Sequence, residues 1–207
     1  MVNKRLILRQ TLAKLFILLL FITLFFGCYF YGKHNAIKEI GRAAFTANKT
    51  VEVSGEWVNP YDGLISDEHA YYICEWSNVL GVPTDFVVSE LLVENPEDNP
   101  MALSKPNKDG SYDVGLFQLN SRYVYTTFKN RYWNFYDVEF DPMNWQHNTY
   151  VAIRLMKDLL DSFNGDMTMA ATAYNCGAGR TIAGDIPQST KIYVARVMNN
   201  YKLLNQS

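Results

Sequence analysis

Glu94 is the residue whose type and position most suggest chemistry. It closes the stretch from Thr84 to Glu94, which reads as an apolar helix, and it falls on the face shared by Val87 and Leu91. A carboxylate there is partly desolvated and faces the negative end of the helix dipole. Both effects favour the neutral acid and raise its pKa. A carboxyl kept protonated near neutral pH is what protonating a leaving oxygen, such as a glycosidic one, requires. A glutamate at a helix end is also a common solvated surface group, so position alone leaves both readings open. Glu90, one turn earlier, is the next candidate acid. Metal and thiol chemistry have little to build on. The three His (34, 69, 147) lie far apart, and the three Cys (28, 74, 176) form no C-x-x-C pair. No metal site and no cofactor are expected.

The elements that must position Glu94 read as helices separated by turns from about Leu64 onward. Ser66 can cap a helix running to about Leu80 with Gly81 at its end, and a second helix spans Thr84 to Glu94. Residues 106–120 break the helical pattern and predict a small hairpin or an irregular loop. Val151, Leu155, Leu159 and Phe163 recur every four residues, flanked by Ala152, Met156 and Leu160, which is an amphipathic helix. Asp166 can cap a short helix over Met167 to Asn175 that Gly177 ends. Ser189 or Thr190 can cap a last helix with apolar contacts from Ile192, Val197 and Tyr201. The class is mostly α.

Composition bounds the partners. The chain has 207 residues, 48% hydrophobic and 19% charged, with a formal net charge of −2. That is a globular balance, and it offers no clustered basic surface for nucleic acid. The compartment is set by the first residues. No charge stands between Lys14 and Lys33, and residues 15–32 would span ~27 Å as a helix at ~1.5 Å per residue. That nearly matches a hydrocarbon core of ~30 Å. Lys4, Arg5, Arg9 and Lys14 precede the run, which keeps the N-terminus in the cytoplasm. The expected organisation is therefore a basic cytoplasmic segment (1–14), a transmembrane helix (15–32), a juxtamembrane spacer (33–63) and a domain over 64–207. A cleaved signal or a lipoprotein acylated at Cys28 are the rivals, and both also place the domain outside the cytoplasm.

Four strings follow or flank Glu94 in order. They are Asn99-Pro100-Met101-Ala102-Leu103-Ser104, Gly115-Leu116-Phe117-Gln118-Leu119-Asn120, Ala173-Tyr174-Asn175-Cys176-Gly177-Ala178-Gly179, and Pro187 through Val194. Together they resemble the lytic transglycosylase (SLT) family, with its E-S…N-P-x-A-x-S, G-L-M-Q, A-Y-N-x-G-x-G and P-x-x-T-x-x-Y-V signatures. The resemblance covers about residues 64–203. It implies a lysozyme-like α-rich domain that cleaves the MurNAc–GlcNAc bond of peptidoglycan without water, leaving a 1,6-anhydromuramyl end. By the same resemblance Glu94 is the acid/base, Ser104 and Gln118 contact sugar groups, Tyr174 and Asn175 line the cleft, and Tyr193 orients Glu94. This chain departs from the pattern in four places. Asn95 stands where the family has Ser, one extra residue precedes Asn99-Pro100, Phe117 replaces Met, and Cys176 stands where Ala is common.

Ser111-Tyr112-Asp113-Val114-Gly115-Leu116-Phe117-Gln118-Leu119-Asn120-Ser121-Arg122 also resembles the chicken-type lysozyme segment S-T-D-Y-G-I-L-Q-I-N-S-R, whose Asp is the second catalytic carboxylate. Peptidoglycanases attached to secretion systems often carry an acid at this point too. Asp113 is thus a candidate assisting residue, and a turn residue bonding nearby backbone N–H groups is the competing reading. Eight aromatics between Tyr123 and Phe140 fit either sugar stacking or core packing. Three functions remain in play: a lytic transglycosylase, a lysozyme-like muramidase using Glu94 and Asp113, and a non-catalytic peptidoglycan-binding module. The expected partners are glycan strands, the membrane through residues 15–32, and a cell-wall-spanning assembly. The expected location is the bacterial inner membrane, single-pass, with the domain on the periplasmic or extracytoplasmic side.

Overall fold

The computed structural model describes residues 57–206 apart from 135 and 137. The basic segment, the expected anchor, Cys28 and the spacer as far as residue 56 lie outside the described residues. Among the described residues no helix is long and apolar enough to cross a membrane.

Helix α1 spans Asp67–Leu80. Its N-cap is Ser66, whose hydroxyl accepts from the His69 N–H, and it ends at Gly81, which takes the left-handed φ of 67° that a side chain would resist. Helix α2 spans Thr84–Glu94, and its residues from Phe86 to Leu91 are all buried. A helix apolar on every side belongs inside a domain, and α2 is packed between α1 and the C-terminal helix. Phe86, Val87 and Leu91 have no exposed surface, each worth about 1.5–3 kcal/mol of apolar burial. The stretch expected to break the helical pattern holds a minimal antiparallel pair, β1 (Asp113–Val114) and β2 (Leu119–Asn120), with Asp113 opposite Asn120.

A helical turn α3 (Ser121–Tyr123) leads into a π-type helix at Val124–Trp133. Helix α4 runs over Trp145–Ser162, α5 over Met167–Cys176, α6 over Ala178–Ala183 and α7 over Gln188–Leu204. Asp166 caps α5 as expected, its carboxylate accepting from Met169 N–H at 3.0 Å. On α4 the buried stripe comprises Val151, Ala152, Ile153, Met156, Leu159 and Leu160, while Leu155 and Phe163 stay half-exposed. Most of the aromatic density is core. Trp133 and Phe140 are buried and gather around His147 and Tyr150, and the Trp133 indole donates to Val138 O at 2.7 Å.

Two expectations are corrected. Neither Ser189 nor Thr190 caps the last helix: Pro187 holds the N-cap position with φ −59°, already close to helical, so α7 begins one residue later at Gln188. The Thr190 hydroxyl instead donates to Asn175 Oδ1 at 2.8 Å. Ile192 is 56% exposed rather than packed, because Thr190, Val194 and Val197 form the buried stripe of α7. Packing also begins before Leu64. Asn59 and Tyr61 are buried, Asn59 Nδ2 donates to Ile65 O and Asp67 Oδ1 at 3.0 Å each, and Tyr61 OH donates to Asp85 at 2.6 Å.

Candidate active site

One cleft of about 800 Å³ brings together residues from most of the elements. Its lining includes Glu94 from α2, Asp113 and Gln118 from the hairpin region, and Tyr174 and Asn175 from α5. Tyr123, Phe128 and Tyr132 add aromatic faces along one side, so part of the aromatic run does meet the cleft. Tyr132 is tied in place, its OH donating to Asp158, which also pairs with Arg131 at 2.6 Å.

Glu94 sits at the C-terminal end of α2 because the helix stops there. Asn95 leaves helical geometry at φ −150°, and its buried amide bonds Asn99 O at 2.7 Å and Leu116 O at 3.2 Å while its Oδ1 accepts from the Asn99 N–H. The departure from Ser at this position therefore ties the end of α2 to both neighbouring loops. Asp98, at a positive φ of 50°, accepts from Ser66 N–H and from the His69 ring at 2.8 Å each, anchoring the same loop to the start of α1.

The Glu94 carboxyl is pushed up to about 7. Burial is the main cause, a hydrogen bond from Tyr193 works against it, and the negative charge of Asp113 adds to the rise. Tyr193 reaches across from α7, and its OH donates to Glu94 Oε1 at 2.7 Å. The same phenol oxygen is hydrogen-bonded to Glu90 Oε2. Glu90 is completely buried, and its carboxyl is pushed up to about 8 by burial and by the nearby Glu94 charge, against a lowering contribution from Tyr193. From the sequence Glu90 is only an alternative acid. Its signal was legible in the i, i+4 spacing to Glu94 on a helix otherwise lined with apolar residues.

Asp113 faces the same cleft from the hairpin. Its carboxylate accepts from Asn120 Nδ2 at 2.8 Å and from Asn107 Nδ2 at 3.3 Å. Ser104 does not line the cleft; its hydroxyl accepts from Asp113 N–H at 2.8 Å and donates to Lys105 O at 2.9 Å, bracing the Asp113 backbone. Gln118 adopts φ 48° and donates its amide to Gly115 O at 2.9 Å and Ala102 O at 3.3 Å. Tyr174 OH donates to Phe117 O at 2.9 Å, fixing α5 against the hairpin. Phe117 itself is buried in the core. Behind it stands Asn148 of α4, fully buried, which bonds Val114 O, Pro142 O and Phe117 N–H at 2.9, 3.0 and 2.7 Å. Cys74 and Cys176 are both free thiols, and Cys176 Sγ lies 3.7 Å from Thr181 Oγ1. Among the described residues no group of His, Cys, Asp and Glu could hold a metal ion.

Residues 96–190 match the family described as the transglycosylase SLT domain. Over that span the chain is similar to an SLT domain. The matched span begins just past Glu94 and ends before Tyr193, and the Asn95 bonds to Asn99 O and Leu116 O tie the end of α2 to it. The chain also superposes on the X-ray structure of an inactive mutant of lytic transglycosylase Slt from Pseudomonas aeruginosa, with a TM-score of 0.54 and 16% identity. That alignment covers 67% of this chain and 24% of the other, so this chain spans about a quarter of the length of that protein. The likeness shows a shared lysozyme-like α-rich fold. Comparison with curated proteins returns no match.

Proposed function

We propose that the SLT-like domain is a peptidoglycan lytic transglycosylase that cuts the MurNAc–GlcNAc β-1,4 bond with Glu94 as its acid and base. The observation that carries this reading is Glu94 itself: a carboxyl on the cleft wall, raised to about 7 by burial and fixed through Oε1 by Tyr193. In the acid form, Glu94 gives its proton to the glycosidic oxygen as the C1–O bond breaks. The carboxylate then takes the proton of the muramyl C6 hydroxyl while that oxygen bonds to C1. Glu94 ends as it began, and the sugar ends as a 1,6-anhydro ring. The solved structure from Pseudomonas aeruginosa is an inactive mutant with glutamate changed to glutamine, which supports one glutamate being essential in this fold.

Asp113 fits the role of a fixed negative charge beside the developing oxocarbenium ion. Asn120 and Asn107 already engage its two oxygens, an arrangement suited to a held charge rather than to an attacking nucleophile. Its presence in the cleft is what favours the second reading, a muramidase that hydrolyses the same bond with Glu94 and Asp113. Mass spectrometry of digested sacculi separates the two: anhydromuramyl ends are expected, and reducing ends from the wild-type protein would replace this reading with the second. Intact glycan would leave a binding module.

The location is also a proposal. The uncharged run at 15–32, with basic residues before it, supports a single-pass anchor in the bacterial inner membrane that holds the domain on the periplasmic or extracytoplasmic face. A spacer between anchor and domain suits work within a cell-wall-spanning assembly. Membrane fractionation with N-terminal sequencing tests it, and a mature N-terminus beyond residue 30 or an acylated Cys28 would overturn it.

A further inference from the structure

Three oxygens and one phenol proton meet behind the cleft. Tyr193 Oη lies within hydrogen-bonding distance of Glu90 Oε2 and Glu94 Oε1 at once, yet a phenol has a single O–H to donate. If both glutamates were ionised, one of these two contacts would be an oxygen–oxygen repulsion with no hydrogen between. The second proton must come from a carboxyl.

Burial decides which one. Glu94 opens onto the cleft, whereas Glu90 has no exposed surface and its Oε1 is buried without a hydrogen-bond partner. An unpaired oxygen of a charged carboxylate costs far more than the unpaired carbonyl of a neutral acid. Among the described residues, the groups facing Glu90 offer it no compensating cation. They are Glu94 on its own helix, Tyr193 from α7 and Tyr174 from α5. On α1, the titratable Cys74 acts at the other end of α2, beside Asp85.

Building on the function proposed above, we propose that Glu90 is a positioning residue: a neutral carboxylic acid that donates its proton to Tyr193 Oη, so that Tyr193 must donate its own to Glu94 Oε1. The consequence reaches the reacting atoms. With Oε1 occupied as an acceptor, the proton that Glu94 transfers resides on Oε2. A rotated Tyr193 that donated to Glu90 would leave Glu94 free to hold its proton on either oxygen. The direction in which burial moves the Glu90 carboxyl agrees with this proton count.

The test uses the full chain labelled with 13C at glutamate Cδ, with the Glu90 signal assigned by its loss in Glu90→Gln. At about pH 6 the Glu90 carbon is expected at the position of a protonated acid, and to stay there while Glu94 titrates. A carboxylate position at that pH overturns the proposal, and this measurement needs no activity. It therefore fails separately from the assignment of the reaction, which the murein products judge. Kinetics on sacculi add a second readout. Glu90→Met removes the donor and should lower kcat about tenfold with KM little changed. Glu90→Gln keeps a neutral donor and should recover most of that loss, with the alkaline limb of the pH profile where the wild type has it. A limb moved down by about one unit in Glu90→Gln would mean that a charge had been removed, and would equally overturn the assignment. Should Glu90→Met not fold, the Gln variant and the carbon signal decide alone.

Discussion

The two walls of the cleft each present a carboxylate, and they treat it in opposite ways. On the helical wall, Glu94 emerges from a helix whose residues from Phe86 to Leu91 are all buried, with a tyrosine as its one side-chain partner and a second buried acid behind that tyrosine. On the hairpin wall, Asp113 is half-exposed and held by Asn120 and Asn107, with Ser104 bracing its backbone. Burial raises the Glu94 carboxyl to about 7, while two side-chain amides hold the Asp113 oxygens in place. In the proposed mechanism the same functional group serves as a proton donor on one side and as a fixed charge on the other. Where a carboxylate sits, and what donates to it, matters more than its identity.

The largest effect should come from removing the proton donor. Glu94→Gln keeps the shape of the helical wall, and activity on purified sacculi should fall by ~10²–10⁴-fold with the thermal midpoint retained. Near-normal turnover would break the comparison at its first term. The hairpin wall should be sensitive in its backbone. Gly115 has φ 73°, and an added Cβ would stand 2.4 Å from Asn148 Nδ2 and 2.7 Å from Pro142 O. Gly115→Ala should therefore cost about 3 kcal/mol in chemical denaturation, because the crowded neighbour is the buried Asn148 that holds the hairpin.

Asp113→Asn sharpens the contrast further. It removes charge while keeping an acceptor, so kcat should drop about tenfold to a hundredfold with KM nearly unchanged, and anhydro ends should persist. An unaltered kcat would reduce Asp113 to a turn residue. The smallest effect is a slope. Glu90 and Glu94 are raised from 4.5 to about 8 and about 7, so the folded state holds protons that the unfolded chain has already released. Stability must fall as pH rises through that window, by up to about 1.4 kcal/mol per pH unit for each proton held. Burial lowers His147 to about 4, which has the opposite sign below its ordinary 6.5 and offsets one of the two protons there, so the fall should steepen above about pH 6.5. Thermal midpoints of Glu94→Gln and wild type should diverge between about pH 4.5 and 7, the variant losing less.

Much of this was legible in the chain itself. The bounds of helix α2 at Thr84 and Glu94 are legible because a predominantly apolar run has few other places to go, and Ser66, Gly81 and Asp166 announce caps that local chemistry enforces. The start of α7 was misread because Ser189 and Thr190 are good caps in isolation, yet Thr190 is claimed by Asn175 of another helix. Ser104 has the residue type for a sugar contact, but its hydroxyl is spent on the Asp113 backbone.

Sequence alone pointed to Glu94 and determined the order of the motif blocks and the helical class, since each depends on residue type and short spacing along the chain. Tertiary structure alone decided that Glu90 and Glu94 share one phenol, that Asn148 holds the hairpin from behind, and that Asp113 faces Glu94 across one cleft. The reason is physical. Caps and periodicity are local energies, whereas a carboxyl's proton is governed by desolvation and by donors that arrive from up to 103 positions away in the chain.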